Sequence, residues 1–215
     1  DLHLLSRRQR QMCIRDRLAN GDTGDGKLPS EETLVSYVVR ELAHEKDLHG
    51  KKVLVTAGPT QEAIDPVRYI TNHSTGKMGY ALAEAAMLRG AEVTLISGPT
   101  AIEPPMFVNV IPIISAQEMF EKVATNATEN DIIIKAAAVA DYRPKEVCDE
   151  KIKKSDHDTE IELERTTDIL AYLGKNKGKT FLCGFSMETE NMLENSRRKS
   201  VSYTHLRAHE TLSDL

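Results

Sequence analysis

The sequence contains no tryptophan, aromatic residues make up only 5% of its 215 positions, and cysteine occurs three times. Cys13, Cys148 and Cys183 are odd in number and lack C-x-x-C spacing, so neither a disulfide framework nor a thiolate zinc site is indicated, and a reducing, cytoplasmic setting fits. No apolar run approaches the ~18 residues that span a membrane, and no apolar signal-peptide segment opens the chain. Cations are not in excess, since 28 Lys and Arg face 33 Asp and Glu for a formal net charge of −5. Without a broad basic field, sequence-independent binding of nucleic acid is not expected. Two phosphate-binding patterns are missing as well. Gly76-Lys77 is followed by Met78 where a P-loop needs Ser or Thr, Thr71 stands in place of its first glycine, and G-x-G-x-x-G spacing is absent from this turn.

What is present is a long organising run from Val53 to Gly98. A strand over Val53 to Ala57 enters a Gly58-Pro59 turn, and a polar stretch ends in Asn72-His73-Ser74-Thr75-Gly76-Lys77-Met78-Gly79. An alanine-rich helix and a second strand, Val93 to Ser97, follow. The helix places Met78, Leu82, Ala85 and Ala86 on one stripe, with Ser74 or Thr75 as N-cap and Gly90 past its end. This is a βαβ unit with an enlarged first turn. A helix N-terminus offers unpaired N–H groups and the positive end of the macrodipole, and Gly76 and Gly79 let backbone approach an anion. Glycines at such a turn also serve as a tight packed entry, and spacing alone leaves both readings open.

Beyond it, Pro99 to Pro112 reads as a loop interrupted by Pro104-Pro105, and Ser115 with Glu118 forms a capping-box pattern for a helix to about Thr125. The apolar run Asp131 to Ala136 predicts a buried parallel strand, and Ala136 to Pro144 lies at its C-terminal end, where open α/β sheets bind ligands. Lys151, Lys153 and Lys154 form either a solvated face or a set of cations for phosphate. Thr159 to Arg165 alternates as a half-exposed strand. Thr167 or Asp168 caps a short helix carrying Ile169, Leu170 and Leu173, Thr180 to Phe185 is a buried strand, and a helix begins at Glu188. The expected class is α/β: a Rossmann-like, doubly wound, mostly parallel sheet with helices on both faces and an enlarged first βα loop.

Residues 50–199 form the principal domain on this reading. The stretches QMCIRDR and VSYTHLRAHET resemble translated sequencing-adaptor sequence, so residues 1–17 and 200–215 are expected to be non-native extensions, the other reading of the first being a basic arm. Ser30 to Leu42 reads as an amphipathic helix, with a domain boundary near His49.

The stretch AGPTQEAIDPVRYITNHSTGKMG resembles the opening motif of phosphopantothenoylcysteine synthetase, and the resemblance continues through KAAAVADYRP, EKIKKS and GFSMETE. Leu18 to Leu28 resembles the end of the flavin-dependent decarboxylase often fused upstream, with Asn20 where that segment commonly has cysteine, so residues 18–49 are expected to be that domain's tail plus a linker, and FMN is implied only for an upstream domain this chain lacks. The resemblance implies coenzyme A biosynthesis: a ligase, here C-terminally truncated, that joins 4'-phosphopantothenate to L-cysteine through an acyl-cytidylate made from CTP with Mg²⁺, releasing CMP and pyrophosphate. It further implies a cytoplasmic homodimer without nucleic-acid or membrane partners. Asn72 and Lys151 are the implied catalytic residues, and Arg68 joins Asn72 in holding substrate. A surface ion pair with Asp65 is the plain alternative for Arg68. The nucleotide is expected at Gly58, Ser74, Gly76, Met78 and Gly79 on one side, and at Ala137, Ala138, Asp141, Lys151 and Phe185 on the other. No metal ligand is designated.

Two other functions compete. One is a fragment that binds nucleotide without turnover. The other is an NAD(P)-dependent oxidoreductase of Rossmann type, disfavoured because Ser97-Gly98-Pro99 closes the second strand without an acidic residue and no Tyr is followed four positions later by Lys.

Overall fold

A computed structural model describes residues 16–17, 23–24, 29–154, 159–176, 178–186 and 207–210. The chain divides into two compact units, residues 1–45 and 46–215. In the first, β1 (Asp16–Arg17) pairs antiparallel with β2 (Thr23–Gly24), and α1 spans Glu31–Leu42. Ser30 caps α1 by accepting the Thr33 N–H at 3.3 Å, and Glu31 and Glu32 complement the positive end of the dipole. Its apolar stripe of Val35, Val38, Val39 and Leu42 is exposed.

The second unit is built on a six-stranded sheet in the order β12-β11-β8-β3-β6-β7, parallel throughout. Its strands are β3 (Lys52–Ala57), β6 (Glu92–Ser97), β7 (Asn109–Pro112), β8 (Ile132–Lys135), β11 (Phe181–Ser186) and β12 (Arg207–Glu210). Two short antiparallel pairs lie outside it: β4 (Gln61–Ala63) with β5 (Tyr69–Thr71), and β9 (Tyr142–Pro144) with β10 (Leu163–Arg165). The helices are α2 (Lys77–Leu88), α3 (Ala116–Asn126) and α4 (Ile169–Asn176).

Side-chain alternation along the strands separates two cores. Val53, Val55, Ala57, Val93 and Leu95 pack with Tyr80, Ala83, Ala86 and Met87 of α2 on one face. Leu54, Ile96, Ile133 and Leu182 pack with Met119 and Val123 of α3 and Ile169 and Leu173 of α4 on the other. Helices therefore cover both faces, as the doubly wound expectation required. The rings of Phe120 and Tyr172 meet edge to face at 5.0 Å, joining α3 to α4.

Several local expectations shift. The buried stripe of α2 is Gly79, Tyr80, Ala83, Ala86 and Met87, while Met78 and Ala85 are exposed. The Pro99 to Pro112 loop ends in β7, because its last four residues add to β6 at the sheet edge. Only Leu163–Arg165 of the predicted Thr159 to Arg165 strand pairs. Ser115 caps α3 as expected by accepting the Glu118 N–H at 3.2 Å, but the Glu118 carboxylate reaches the Ile114 N–H rather than that of Ser115. Strand β12, within the adaptor-like stretch, pairs with β11 from Cys183 to Ser186. The helix predicted from Glu188 lies outside the described residues.

Candidate functional site

The sheet order puts β6 and β8 on opposite sides of β3, so the crevice at the C-terminal ends of β3 and β8 is the topological switch point. Gly58 leaves β3 at φ +73°, and a Cβ there would lie 2.9 Å from Thr100 Cγ2 and 3.0 Å from the Gly98 oxygen. Gly76 has φ +78°, and its Cβ would stand 3.3 Å from the Gly58 nitrogen. The two glycines are thus neighbours in a crevice that admits no side chain at either position.

Helix α2 starts beside them. Its N-cap is Gly76 in the left-handed region, with no side-chain cap and no acidic residue in the first turn. Ser74 is not the N-cap. Its hydroxyl accepts the Gly76 N–H at 3.3 Å, one step before the helix. Among the described residues neither a side-chain cap nor a first-turn carboxylate neutralises the start of this 12-residue helix, which carries Lys77, the arrangement that favours an anion. Gly79 serves a different end from the one expected. A Cβ there would fall 2.5 Å from Ala57 Cβ, so the glycine lets α2 sit directly on β3.

The segment after β8 is tied across the crevice. The Ala137 N–H donates to Thr56 Oγ1 at 3.2 Å and the Ala138 N–H to the Gly58 oxygen at 3.0 Å. The Ala138 oxygen accepts from the Thr60 N–H at 3.3 Å and from Asn72 Nδ2 at 3.1 Å. With both N–H groups engaged, Ala137 and Ala138 have only carbonyl oxygens and methyl groups left to offer. Asn72 keeps a second amide hydrogen for a ligand.

The enlarged turn contains the β4–β5 hairpin, anchored by Asp65, which is only 2% exposed. Its carboxylate accepts the N–H groups of Val67 and Arg68 at 2.9 and 2.8 Å, Arg68 Nε at 2.9 Å, and the N–H of Ile152 at 3.1 Å. The Arg68 guanidinium, then burial in the opposite sense, then these N–H groups set the Asp65 carboxyl, with the net result well below the usual carboxylate range. Arg68 Nη2 also pairs with Asp65 and donates to the Ile152 oxygen at 2.9 Å. The ion pair weighed as the plain alternative is therefore present, although half of the Arg68 side chain stays exposed. Arg68, Lys151, Lys153 and Lys154 line a basic cleft of about 690 Å³ with Ile64, Ile152, Thr159 and Ile161.

A second cleft, of about 460 Å³, lies beside the C-terminal end of β8 and the start of α4. Asp141 and Phe185 line it, together with Lys135, Arg165, Thr167 and Asp168. Lys135 was missed in the sequence. Its signal was a lone cation ending the apolar strand Ile132–Lys135. Burial pushes the Lys135 ammonium below the ordinary lysine range, and Asp168 and then Asp141 partly offset it. Asp168 caps α4 by accepting the Ala171 N–H at 2.9 Å.

The expected residues thus gather in adjoining sets: Gly58, Gly76, Asn72 and Ala138 at the crevice, Asp141 and Phe185 in one cleft, Arg68 and Lys151 in another. Met78, 36% exposed, sits in the first turn of α2. At the end of β6, the Tyr80 hydroxyl lies 3.1 Å from Ser97 Oγ and accepts from Thr100 Oγ1 at 3.0 Å, with no acidic residue closing the strand. Among the described residues no cluster of three His, Cys, Asp or Glu side chains could hold a metal, and no helix is long and apolar enough to cross a membrane.

Residues 48–204 match the family model of the DNA/pantothenate metabolism flavoprotein C-terminal domain. The chain is 49% identical over 185 residues to the coenzyme A biosynthesis bifunctional protein CoaBC of Bacillus subtilis (strain 168), covering 85% of this chain and 46% of that protein. It is 47% identical over 184 residues to the protein of the same name from Vibrio vulnificus (strain YJ016), covering 84% and 46% respectively. It therefore spans about half the length of the curated relatives it matches. The crystal structure of the C-terminal domain of a CoaBC protein superposes with TM-score 0.67 at 49% identity, over 75% of this chain and 78% of that one.

Proposed function

Because the chain belongs to the family of the DNA/pantothenate metabolism flavoprotein C-terminal domain, we propose that it is the ligase portion of a coenzyme A biosynthetic enzyme, joining 4'-phosphopantothenate to L-cysteine at the expense of CTP. The observation that carries this is the switch-point crevice, where an uncapped helix start, two glycines without room for a side chain, and the Asn72 amide converge.

A carboxylate does not condense with an amine at neutral pH until its oxygen is made a leaving group. In the first step a carboxylate oxygen of phosphopantothenate bonds to the α-phosphorus of CTP, the bond from that phosphorus to the β-phosphate oxygen breaks, and pyrophosphate leaves. In the second, the cysteine amine bonds to the acyl carbon, its proton passes to solvent, and the acyl–oxygen bond breaks to release CMP. Backbone N–H groups at the start of α2 meet phosphoryl oxygens, and Gly58 and Gly76 let the turn pack tightly beside that helix start. Lys151, carried by the segment that Asp65 holds at Ile152, brings a mobile cation to the phosphates. The free amide hydrogen of Asn72 serves the oxyanion that develops on the acyl carbon.

Magnesium would come with the triphosphate, since the described residues offer it no ligand cluster; when bound it screens phosphate charge. The half-exposed Tyr69 and the exposed Val67 of the hairpin region supply apolar surface for a second copy in a homodimer, and a cytoplasmic setting fits the substrates. Pyrophosphate release tests the proposal. Release requiring both CTP and phosphopantothenate supports it, whereas release without phosphopantothenate, or equal release with ATP, contradicts the acceptor or the nucleotide assigned.

A further inference from the structure

Strand β8 ends at Lys135, and the segment after it meets the chain beyond β3 only through the single bridge of Pro59 with Ala138. Its backbone groups need other partners, and threonine hydroxyls supply them. Thr56 Oγ1 accepts the Ala137 N–H at 3.2 Å, Thr60 Oγ1 accepts the Ala140 N–H at 2.9 Å, and Thr166 Oγ1 donates to the Ala140 oxygen at 2.6 Å.

Thr60 also reaches the enlarged turn. Its N–H donates to the Ala138 oxygen at 3.3 Å, the same oxygen that takes Asn72 Nδ2 at 3.1 Å. Its own oxygen accepts Thr71 Oγ1 at 2.7 Å, and Thr71 is the residue before Asn72. Asn72 is thus held from two directions, through its neighbour in the chain and through the carbonyl its amide meets, and both lead back to Thr60. The Thr60 side chain is fully buried. Valine would fill that volume with no polar group to desolvate, so what threonine adds is the bond to Ala140.

We propose that Thr60 is a positioning residue for the acyl-transfer step. Its hydroxyl fixes the segment from Ala138 to Ala140, and through the Ala138 oxygen it aims the Asn72 amide at the acyl carbon. Thr166 holds the Ala140 oxygen independently, so the Asp141 side of the segment stays in place when the Thr60 hydroxyl is removed. The assignment rests on the ligase reading above and adds to it a residue that acts through Asn72.

Thr60→Val keeps the shape and removes the bond, whereas Thr60→Ser keeps the hydroxyl and loses a buried methyl group. Quench-flow of the whole chain with CTP, phosphopantothenate and cysteine follows cytidylate formation and transfer separately. Thr60→Val is expected to slow transfer by about 10- to 100-fold, the cost of a small misplacement, with cytidylate formation and the KM for CTP near wild type. Thr60→Ser should restore transfer despite a lower thermal midpoint. Adding Thr60→Val to Asn72→Ala should slow transfer no further, since both act on one donor. Equal loss of both steps in Thr60→Val, an additive loss in the double variant, or transfer that follows the thermal midpoint instead of the hydroxyl overturns the proposal. Should Thr60→Val not fold, Thr71→Val removes the bond to the Thr60 oxygen at an exposed position. Slowed transfer there supports the proposal and wild-type transfer overturns it. A nitrogen–proton NMR spectrum without ligand separates this role from the ligase reading. Asn72 amide signals that stay unmoved in Thr60→Val overturn the role of Thr60, while signals that shift in a protein releasing no pyrophosphate support the tie and overturn the ligase reading.

Discussion

Asn72 Nδ2 donates to the Ala138 oxygen at 3.1 Å, joining the end of the enlarged turn to the segment after β8 across 66 positions of chain. The bond fixes which way the amide faces, because only its nitrogen side can meet a carbonyl. Asn72→Ala is expected to leave formation of the acyl-cytidylate measurable while slowing its transfer to cysteine by about 100- to 1,000-fold, as for loss of one oxyanion donor. Quench-flow with radiolabelled CTP checks this by following intermediate and product separately. Loss of both steps in equal proportion would make Asn72 a structural tie.

Asp65 is the knot between the hairpin loop and the lysine segment. Asp65→Asn weakens the pairing with Arg68 and the Ile152 N–H together, so amide exchange should rise around Ile64 to Arg68 and at Ile152 more than in the sheet. The pH sign follows from the depressed carboxyl. Its contribution to stability is complete above the ordinary carboxylate pKa of ~3.9 and is lost as pH falls from there through the folded value. Acid titration of wild type and Asp65→Asn should therefore converge below that range and diverge above it.

Gly79→Ala sets two effects against each other. Helix propensity favours alanine by ~1 kcal/mol, while the added Cβ would lie 2.5 Å from Ala57 Cβ and 3.0 Å from the Thr56 oxygen. Neither atom can move without shifting β3, and overpacking typically costs about 1–3 kcal/mol. Urea unfolding should show a lower midpoint with unchanged slope. A higher midpoint would mean that α2 stands further from the sheet.

Lys151 shares its basic cleft with Arg68, Lys153 and Lys154. Lys151→Ala should lower kcat/KM by roughly 10- to 100-fold, in line with loss of one hydrogen bond to a charged group, with the thermal midpoint unmoved because the residue is exposed. Steady-state kinetics at two salt concentrations check it, and the wild-type advantage should shrink at the higher one.

The strands legible in the sequence were those buried on both faces. Val53 to Ala57, Val93 to Ser97 and the run after Asp131 read as continuous apolar stretches, and they became β3, β6 and β8. β7 was hidden because an edge strand is half wet, with Asn109 and Pro112 at its ends. The face of α2 was misjudged by one position, since a helix of small residues carries little periodic contrast and Gly79 marks the closest contact through what it lacks. The turn glycines and Asn72 were legible in the sequence as candidates. The commitment of the Ala137 and Ala138 N–H groups was not, because it depends on Thr56 and Gly58 from a strand some 80 positions earlier. Lys135 escaped notice for a similar reason, as only the tertiary fold brings Asp141 and Asp168 around it.

The most direct test is a crystal of the chain grown with CTP. The nucleotide is predicted with its phosphates at the start of α2, beside Gly58 and Gly76, and its base or ribose against Phe185 and Asp141. A nucleotide seated instead along Tyr80, Ser97 and Thr100 at the end of β6, or no nucleotide near Asn72 at saturating CTP, would contradict the account.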